Sequence, residues 1–215
     1  MKFGRWMVVL AAIVAGWSWT IAAAQEATPG PAATALTRTN VRYFLPFSPD
    51  GLNPALTVTD RADGTCDGSS SVLFGRPDAW FCIEAAGGVL DPCIENIWTP
   101  EGEPTQLACA SDPFGDDVVL LTASAPLPET QATPEAEAGT AMPVLPWALE
   151  LANGRRCGLM RGATTTFAGM RMNYGCVGGG MVIGDVDRSS PVWVVSYLAD
   201  GALATDLIEV AVAWQ

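Results

Sequence analysis

The side chains able to do chemistry in this chain are few in kind. Its 215 residues include no histidine, and its single lysine is Lys2. Without histidine there is no Ser-His-Asp triad, no Cys-His pair and no imidazole ligand for zinc or haem. Without a lysine in the body of the chain there is no Schiff-base amine and no phosphate-loop lysine. Carboxylates, hydroxyls, arginines and aromatics remain. Two carboxylates about 5–10 Å apart suffice for glycoside hydrolysis. Asp78, Glu84, Asp91, Glu95, Glu150 and Glu209 are the candidates, and nothing in their spacing selects a pair.

Three further groupings offer chemistry, each beside a plainer reading. Asp60, Asp63 and Asp67 bring oxygen donors of the kind calcium takes, but not at EF-hand spacing and with no closing Glu. Asp-Gly pairs are ordinary turn residues, so a plain turn is the expectation there, and for Asp112–Asp117 and Asp185–Asp187 too. Trp80, Trp98, Trp147, Trp193, Trp214 and Tyr174 offer flat faces for a sugar ring, although a large aromatic in a strand usually fills a core. Arg155, Arg156, Arg161 and Arg171 cluster in sequence, either as an anion site or as a solvated strand face. No cofactor and no metal are expected.

The six cysteines are Cys66, Cys82, Cys93, Cys109, Cys157 and Cys176. Their number is even and no two have C-x-x-C spacing, which favours three disulfides over a redox motif or a zinc site. Fifteen pairings are possible for six cysteines. Spacings of 16, 16 and 19 favour the neighbour pairing 66–82, 93–109 and 157–176. Each bridge would then close a loop that two strands and a turn can span, worth on the order of 3 kcal/mol.

Residues 1–24 read as a secretory signal. Lys2 and Arg5 precede an apolar stretch from Trp6 to Ile21, and Ala22-Ala23-Ala24 supplies the small residues of a cleavage site. The alternative is an uncleaved anchor, since Trp6–Ala24 is just long enough to span a bilayer. After cleavage, nine arginines face 23 carboxylates, a net charge of −14. Such a chain is repelled by nucleic acid and by anionic membrane surfaces. The expectation is a secreted protein, extracellular or held at the cell wall, with no membrane insertion.

Two segments lack any apolar period. Residues 25–39 read as a flexible Ala/Thr/Pro spacer, and 125–146 as a disordered Pro/Glu/Ala/Thr loop. Residues 40–215 would then form a single β-rich domain. Strands are expected at 118–122, 147–151, 156–160, 170–177, 181–183, 192–199 and 206–214. Asn153-Gly154, Gly178–Gly180 and Asp200-Gly201 would turn between them. In the last strand, Ile208, Val210, Val212 and Trp214 share one face by strict alternation. One short helix is suggested at 76–86, where Pro77 suits a first turn and Gly87-Gly88 an end. The fold class is mainly β: a single disulfide-stapled β-sandwich or barrel with at most one or two short helices.

Three stretches carry a resemblance. They are Gly64-x-Cys66 with Ser70, Arg76-Pro-Asp-Ala-Trp80-Phe-Cys82 and Asp91-Pro-Cys93; then Pro146-Trp147 through Asn153-Gly154 with Cys157; then Gly169 through Cys176. With the closing Val-Ala-Trp at 212–214, the chain resembles a group of secreted six-cysteine proteins, with no assigned activity, from actinomycete-like bacteria. The resemblance implies the disulfides and treats 125–146 as a variable loop within one domain. It implies no chemistry.

Within those motifs Arg76, Asp78, Trp80 and Asp91 are the binding candidates. The plainer reading is that Arg76 pairs with Asp78 or Asp91 and braces the Cys82–Cys93 segment. The function expected is non-catalytic binding of a cell-envelope glycan or protein. A carboxylate-dependent glycan hydrolase and a structural or inhibitory envelope protein are the alternatives.

Overall fold

The computed structural model describes residues 35–129, 144–162 and 164–215. The expected leader at 1–24, the first part of the expected spacer and most of the expected loop at 125–146 lie outside them. Residues 35–215 form one compact unit. It is all β, and the expected barrel occurs twice.

The first barrel is made of β4 (Thr57–Ser69), β5 (Ala79–Glu84), β6 (Val89–Glu95), β7 (Gln106–Cys109) and β8 (Asp117–Ala123). Successive strands pair antiparallel, and β4 closes the ring by pairing parallel with β8. An up-and-down ring with an odd number of strands must contain one parallel pair. The long β4 manages the closure by using its first half for β8 and its second half for β5. Gly64 lies where the two halves meet, opposite both Glu84 and Ala123. A Cβ there would stand 2.4 Å from the Ile83 carbonyl oxygen and 3.0 Å from Leu121 Cδ1. Only glycine fits.

The calcium-or-turn stretch Asp60–Asp67 is therefore neither a calcium loop nor a turn; it is the middle of β4. Its buried positions are Gly64 and Cys66, while Asp60, Asp63 and Asp67 face solvent. Among the described residues no group of three acidic, Cys or His side chains could hold a metal ion.

The expected helix at 76–86 is also absent. A tight turn closes there, with the Ala79 N–H donating to the Arg76 carbonyl, and β5 follows. Cys82 is drawn into a strand by its bond to Cys66 directly opposite on β4.

The second barrel is made of β9 (Ala148–Leu151), β10 (Arg156–Leu159), β12 (Met170–Cys176), β13 (Met181–Asp187), β14 (Val194–Leu198) and β15 (Asp206–Trp214). Six strands close with every pair antiparallel, the last being β15 against β9. Asn153-Gly154 makes the β9–β10 turn, with Gly154 at φ 81°. Four short strands decorate the barrels. β1 (Asn40–Arg42) adds parallel to β15, β2 (Phe47–Ser48) pairs β3 (Gly51–Leu52), and β11 (Thr166–Phe167) pairs β12. Just before β1, Thr39 is buried, and its hydroxyl donates to the Val210 carbonyl at 2.7 Å. The chain is thus already part of the fold at Thr39, inside the stretch expected as spacer.

Strict alternation fails in β15. Its register shifts between Val210 and Val212, the mark of a β-bulge. Ile208 and Val210 pack in the barrel, but beyond the bulge it is Ala213 that joins that core. Trp214 lies outside under the Arg42 guanidinium, 5.3 Å from the ring centre.

Each barrel is partly filled by its own cystines. Cys66–Cys82, Cys93–Cys109 and Cys157–Cys176 each join residues directly opposite on adjacent antiparallel strands. The first two bridges pack with Trp80, Leu107 and Leu121 inside the five-stranded barrel. The third lies among Leu149, Tyr174 and Val210 in the six-stranded one. Three bridges and no free cysteine belong to an oxidising compartment.

A third apolar cluster joins the barrels. Val72, Leu73, Ala79, Ile94, Ala110 and Val118 come from the first, and Trp147 leads into the second. Phe44 meets the Trp147 ring edge-on, centroids 5.8 Å apart.

Two predictions follow from this packing. Gly64→Ala should lower stability by about 2–3 kcal/mol through overpacking, whereas Gly68→Ala, whose Cβ meets nothing within 4 Å, should cost under about 0.5 kcal/mol; urea unfolding measures both. The second concerns pH. Burial drives the Tyr174 phenol far above its ordinary value of 10.0, with Arg188 opposing and Asp185 adding to the rise. Its hydroxyl donates to the Pro146 carbonyl at 2.9 Å. Above pH 10 the unfolded chain releases this proton while the folded chain keeps it, so stability falls by about 1.4 kcal/mol per pH unit for this one group. Tyr174→Phe should be less stable at neutral pH and should lose the Tyr174 share of the alkaline decline.

Candidate functional site

The turn linking β4 to β5 is held by one buried carboxylate. Asp91 is 3 % exposed. Ser70 Oγ donates to its Oδ1 at 2.5 Å, while Ser71 Oγ and the Ser71 N–H donate to its Oδ2 at 2.5 and 3.2 Å. Ser70 Oγ in turn accepts from the backbone N–H groups of Val72 and Leu73 at 3.2 and 3.0 Å. A buried carboxylate is tolerable when its lone pairs are filled in this way. The result is a rigid turn that sends Val72 and Leu73 into the seam and leaves Ser71 and Phe74 exposed.

A second carboxylate fixes the end of the same turn. Asp78 receives a two-pronged bond from Arg76, Nε to Oδ1 at 2.8 Å and Nη2 to Oδ2 at 2.9 Å. The remaining Nη1 donates to the Gln215 carbonyl at 3.4 Å, which ties the turn to the end of β15.

Around this turn, three adjoining depressions follow the seam between the barrels. The first, about 240 Å³, is lined by Tyr43, Phe74, Arg76, Val144 and Gln215 among others. The second, about 140 Å³, shares Phe74 and Leu145 with it and adds Ser71, Arg161, Arg171 and Asn173. The third, about 110 Å³, shares Arg161 and adds Thr59, Ser111 and Asp117. Each is below the 300–1,000 Å³ of a site that engulfs a small molecule. Together they make an open groove suited to an extended ligand that meets several shallow contacts in turn.

The groove draws on both barrels. Arg161 follows β10, and Arg171 and Asn173 sit on β12. Arg171 is held by Nε to Thr164 Oγ1 and Nη2 to the Gly162 carbonyl, both at 2.9 Å. Asn173 is the extra residue of a β-bulge, where the β12–β13 register shifts between Met172 and Tyr174. Bulges of this kind re-aim side chains at the rim of a barrel.

The four residues proposed from sequence do not converge. Arg76 lines the groove with Asp78 bound behind it, and Asp91 lies sealed in the wall. Trp80 is elsewhere, 3 % exposed inside the first barrel with its indole N–H on Glu95 Oε2 at 3.1 Å. The bracing pair is Arg76–Asp78, while Asp91 braces through serines instead. The sequence reading passed over Ser71, Phe74 and Asn173, single polar or aromatic residues without a spacing signature. The arginine cluster divides. Arg161 and Arg171 reach the groove, Arg155 caps the carbonyls of Val177 and Gly178, and Arg156 lies over the Phe114 ring.

The candidate carboxylates are largely committed. Glu95 accepts from Trp80 and Glu150 from Trp214, while Asp78 and Asp91 are bound as above. Of the candidate aromatic platforms, Trp147 and Tyr174 are core, and Trp193 and Trp214 lie beneath Arg188 and Arg42. Trp98 is half exposed but stands on the β6–β7 loop, outside the groove.

Fold and site thus define a class, a disulfide-stapled pair of β-barrels with an open groove along the seam. Compared with protein-family models, with curated proteins and with solved structures, the chain matches none.

Asp91→Ala should lower stability by about 2–3 kcal/mol, because two hydroxyls and an amide lose their acceptor. Asp91→Asn, which keeps one acceptor oxygen, should cost about half as much. Urea midpoints of the two variants measure the difference.

Proposed function

We propose that this is an exported, non-catalytic binding domain that seats an extended ligand of the cell envelope along the seam groove. The single observation carrying this reading is the groove itself: an aromatic end at Tyr43 and Phe74, followed by polar side chains from both barrels. A sugar ring offers an apolar face to such aromatics and hydroxyls to such polar groups. The leader-like start and the three bridges favour secretion, and the resemblance to secreted six-cysteine proteins fits the same picture. A glycan is the favoured ligand, with an envelope protein as the other.

A second reading, a glycan hydrolase, draws on Asp91 and Asp117 bordering the same depression. The Asp91 side chain has no exposed surface and its oxygens are already bound, which leaves it no access to a substrate. Non-catalytic binding is therefore the better reading.

The mature chain should bind members of a glycan array while releasing no fragments from the same polymers over hours. Phe74→Ser should weaken that binding by about tenfold at an unchanged melting temperature, as loss of an exposed anchor does. Trp98→Ala should leave it unchanged. Reducing ends released by the wild type and lost in Asp117→Asn would overturn the non-catalytic reading.

A further inference from the structure

The middle of the groove brings two arginines together. The mature chain has nine arginines against 23 carboxylates, and two of those arginines, Arg161 and Arg171, line one depression. Arg161 makes no hydrogen bond among the described residues. Its nearest charge is Asp91 Oδ2 at 3.9 Å, and its side chain is 43 % exposed. A guanidinium carries five N–H donors in a planar fork. Leaving all of them to water costs a soluble protein little, but it also leaves a ready site for an anion. Arg171 is the complement. Its Nε and one Nη2 donor are used to fix the plane, so Nη1 remains available at a set orientation. The lining of this depression carries the two arginines and no carboxylate.

Two neighbours complete the pattern. Asn173 is 4 % exposed and spends its Nδ2 on the Gly184 carbonyl at 2.8 Å. Among the described residues its Oδ1 receives no bond, and it is not sealed from the depression that Asn173 lines. It is an acceptor placed for a hydroxyl. Phe74 borders the same depression, 43 % exposed, with an apolar face. An anion clamp, a hydroxyl acceptor and an aromatic face in one small pocket match one kind of ligand unit.

We propose that the Arg161–Arg171–Asn173 pocket is a subsite for an acidic sugar, a pyranose whose anionic substituent pairs with the arginines while its ring lies against Phe74. This rests on the groove being the binding site and adds which ligands it selects. Carboxylate, sulfate and phosphate substituents share the required chemistry, and a forked guanidinium suits each of them.

The test uses the mature chain, isothermal titration and four probes, a galacturonate hexamer, its carboxyl-reduced neutral counterpart, dextran sulfate and a glycerol-phosphate polymer, with poly-glutamate as a sugar-free polyanion control. At least one anionic probe should bind about tenfold or more tighter than the neutral hexamer, and raising the salt concentration should narrow the gap. Arg161→Gln and Arg171→Gln should each lose more affinity for that anionic probe than for the neutral hexamer, and so remove most of the preference. Arg61→Gln, on the outer face of β4, should change nothing. The anionic probe that responds most to Arg161→Gln identifies the substituent. Equal affinity for acidic and neutral hexamers would overturn the acidic subsite and leave the groove reading standing. A preference that survives the double Arg161→Gln, Arg171→Gln variant would also overturn it. Tighter binding of poly-glutamate than of every glycan would overturn the sugar assignment. Failure of all four probes, with Phe74→Ser altering no interaction on a wider array, would overturn the groove reading together with the subsite.

Discussion

The structure depends most on the apolar seam between its two barrels. Neither barrel is large, and the first buries little beside its cystines, mainly Trp80, Leu107, Leu121 and Ala123. The seam supplies a third core, in which Trp147 and Phe44 meet Val72, Leu73 and Ile94. A large apolar side chain buried there contributes about 1.5–3 kcal/mol, enough in sum to make the barrels fold as one body. Trp147 is anchored from both sides: its N–H donates to the Trp214 carbonyl at 2.8 Å, and its carbonyl accepts from Leu159 at 2.9 Å. The groove is the outer rim of this contact, where two convex surfaces meet and leave a trough. Its lining is therefore only as well placed as the seam beneath it.

The cystines solve a packing problem as well as an entropic one. A five-stranded barrel is narrow, and β4 can enter it only with small inward residues, glycine at 64 and cysteine at 66. Half-cystines are small and apolar, and paired across adjacent strands they fill the interior without adding bulk. The same bridges fix strand register, because each joins directly opposed residues. A one-residue slip would turn every inward side chain outward, and no slip is possible while the bridge holds.

Much of the second barrel could be read from its sequence, and less of the first. Asn153-Gly154, the three glycines at 178–180 and Asp200-Gly201 are turns with a φ requirement, and the strands between them alternate or run apolar. In the first barrel the inward residues of β4 are glycines and a cysteine instead of Val or Ile. Asp63-Gly64 and Asp67-Gly68 consequently look like turn tips. The 76–86 segment carries helix punctuation at Pro77 and Gly87, but the partner strand across the Cys66–Cys82 bridge overrides it. The β15 bulge moves Ala213 inward and Trp214 outward, a phase change that no residue type announces. The groove was the least legible part. Arg76 stands out in a motif and Arg161 and Arg171 in an arginine cluster, but Ser71, Asn173 and Gln215 come from segments far apart in sequence, and only the meeting of the barrels makes them neighbours.

The proposed role of the seam as binding surface is tested most directly by amide chemical shifts of the isotope-labelled chain, residues 25–215, as an oligosaccharide is added. The perturbed residues should concentrate at 71–76, 159–162, 171–173 and 215, with the far end of the second barrel around Val177 and Leu203 silent. Perturbations centred on that far end, or on Trp98 in the β6–β7 loop, would contradict it.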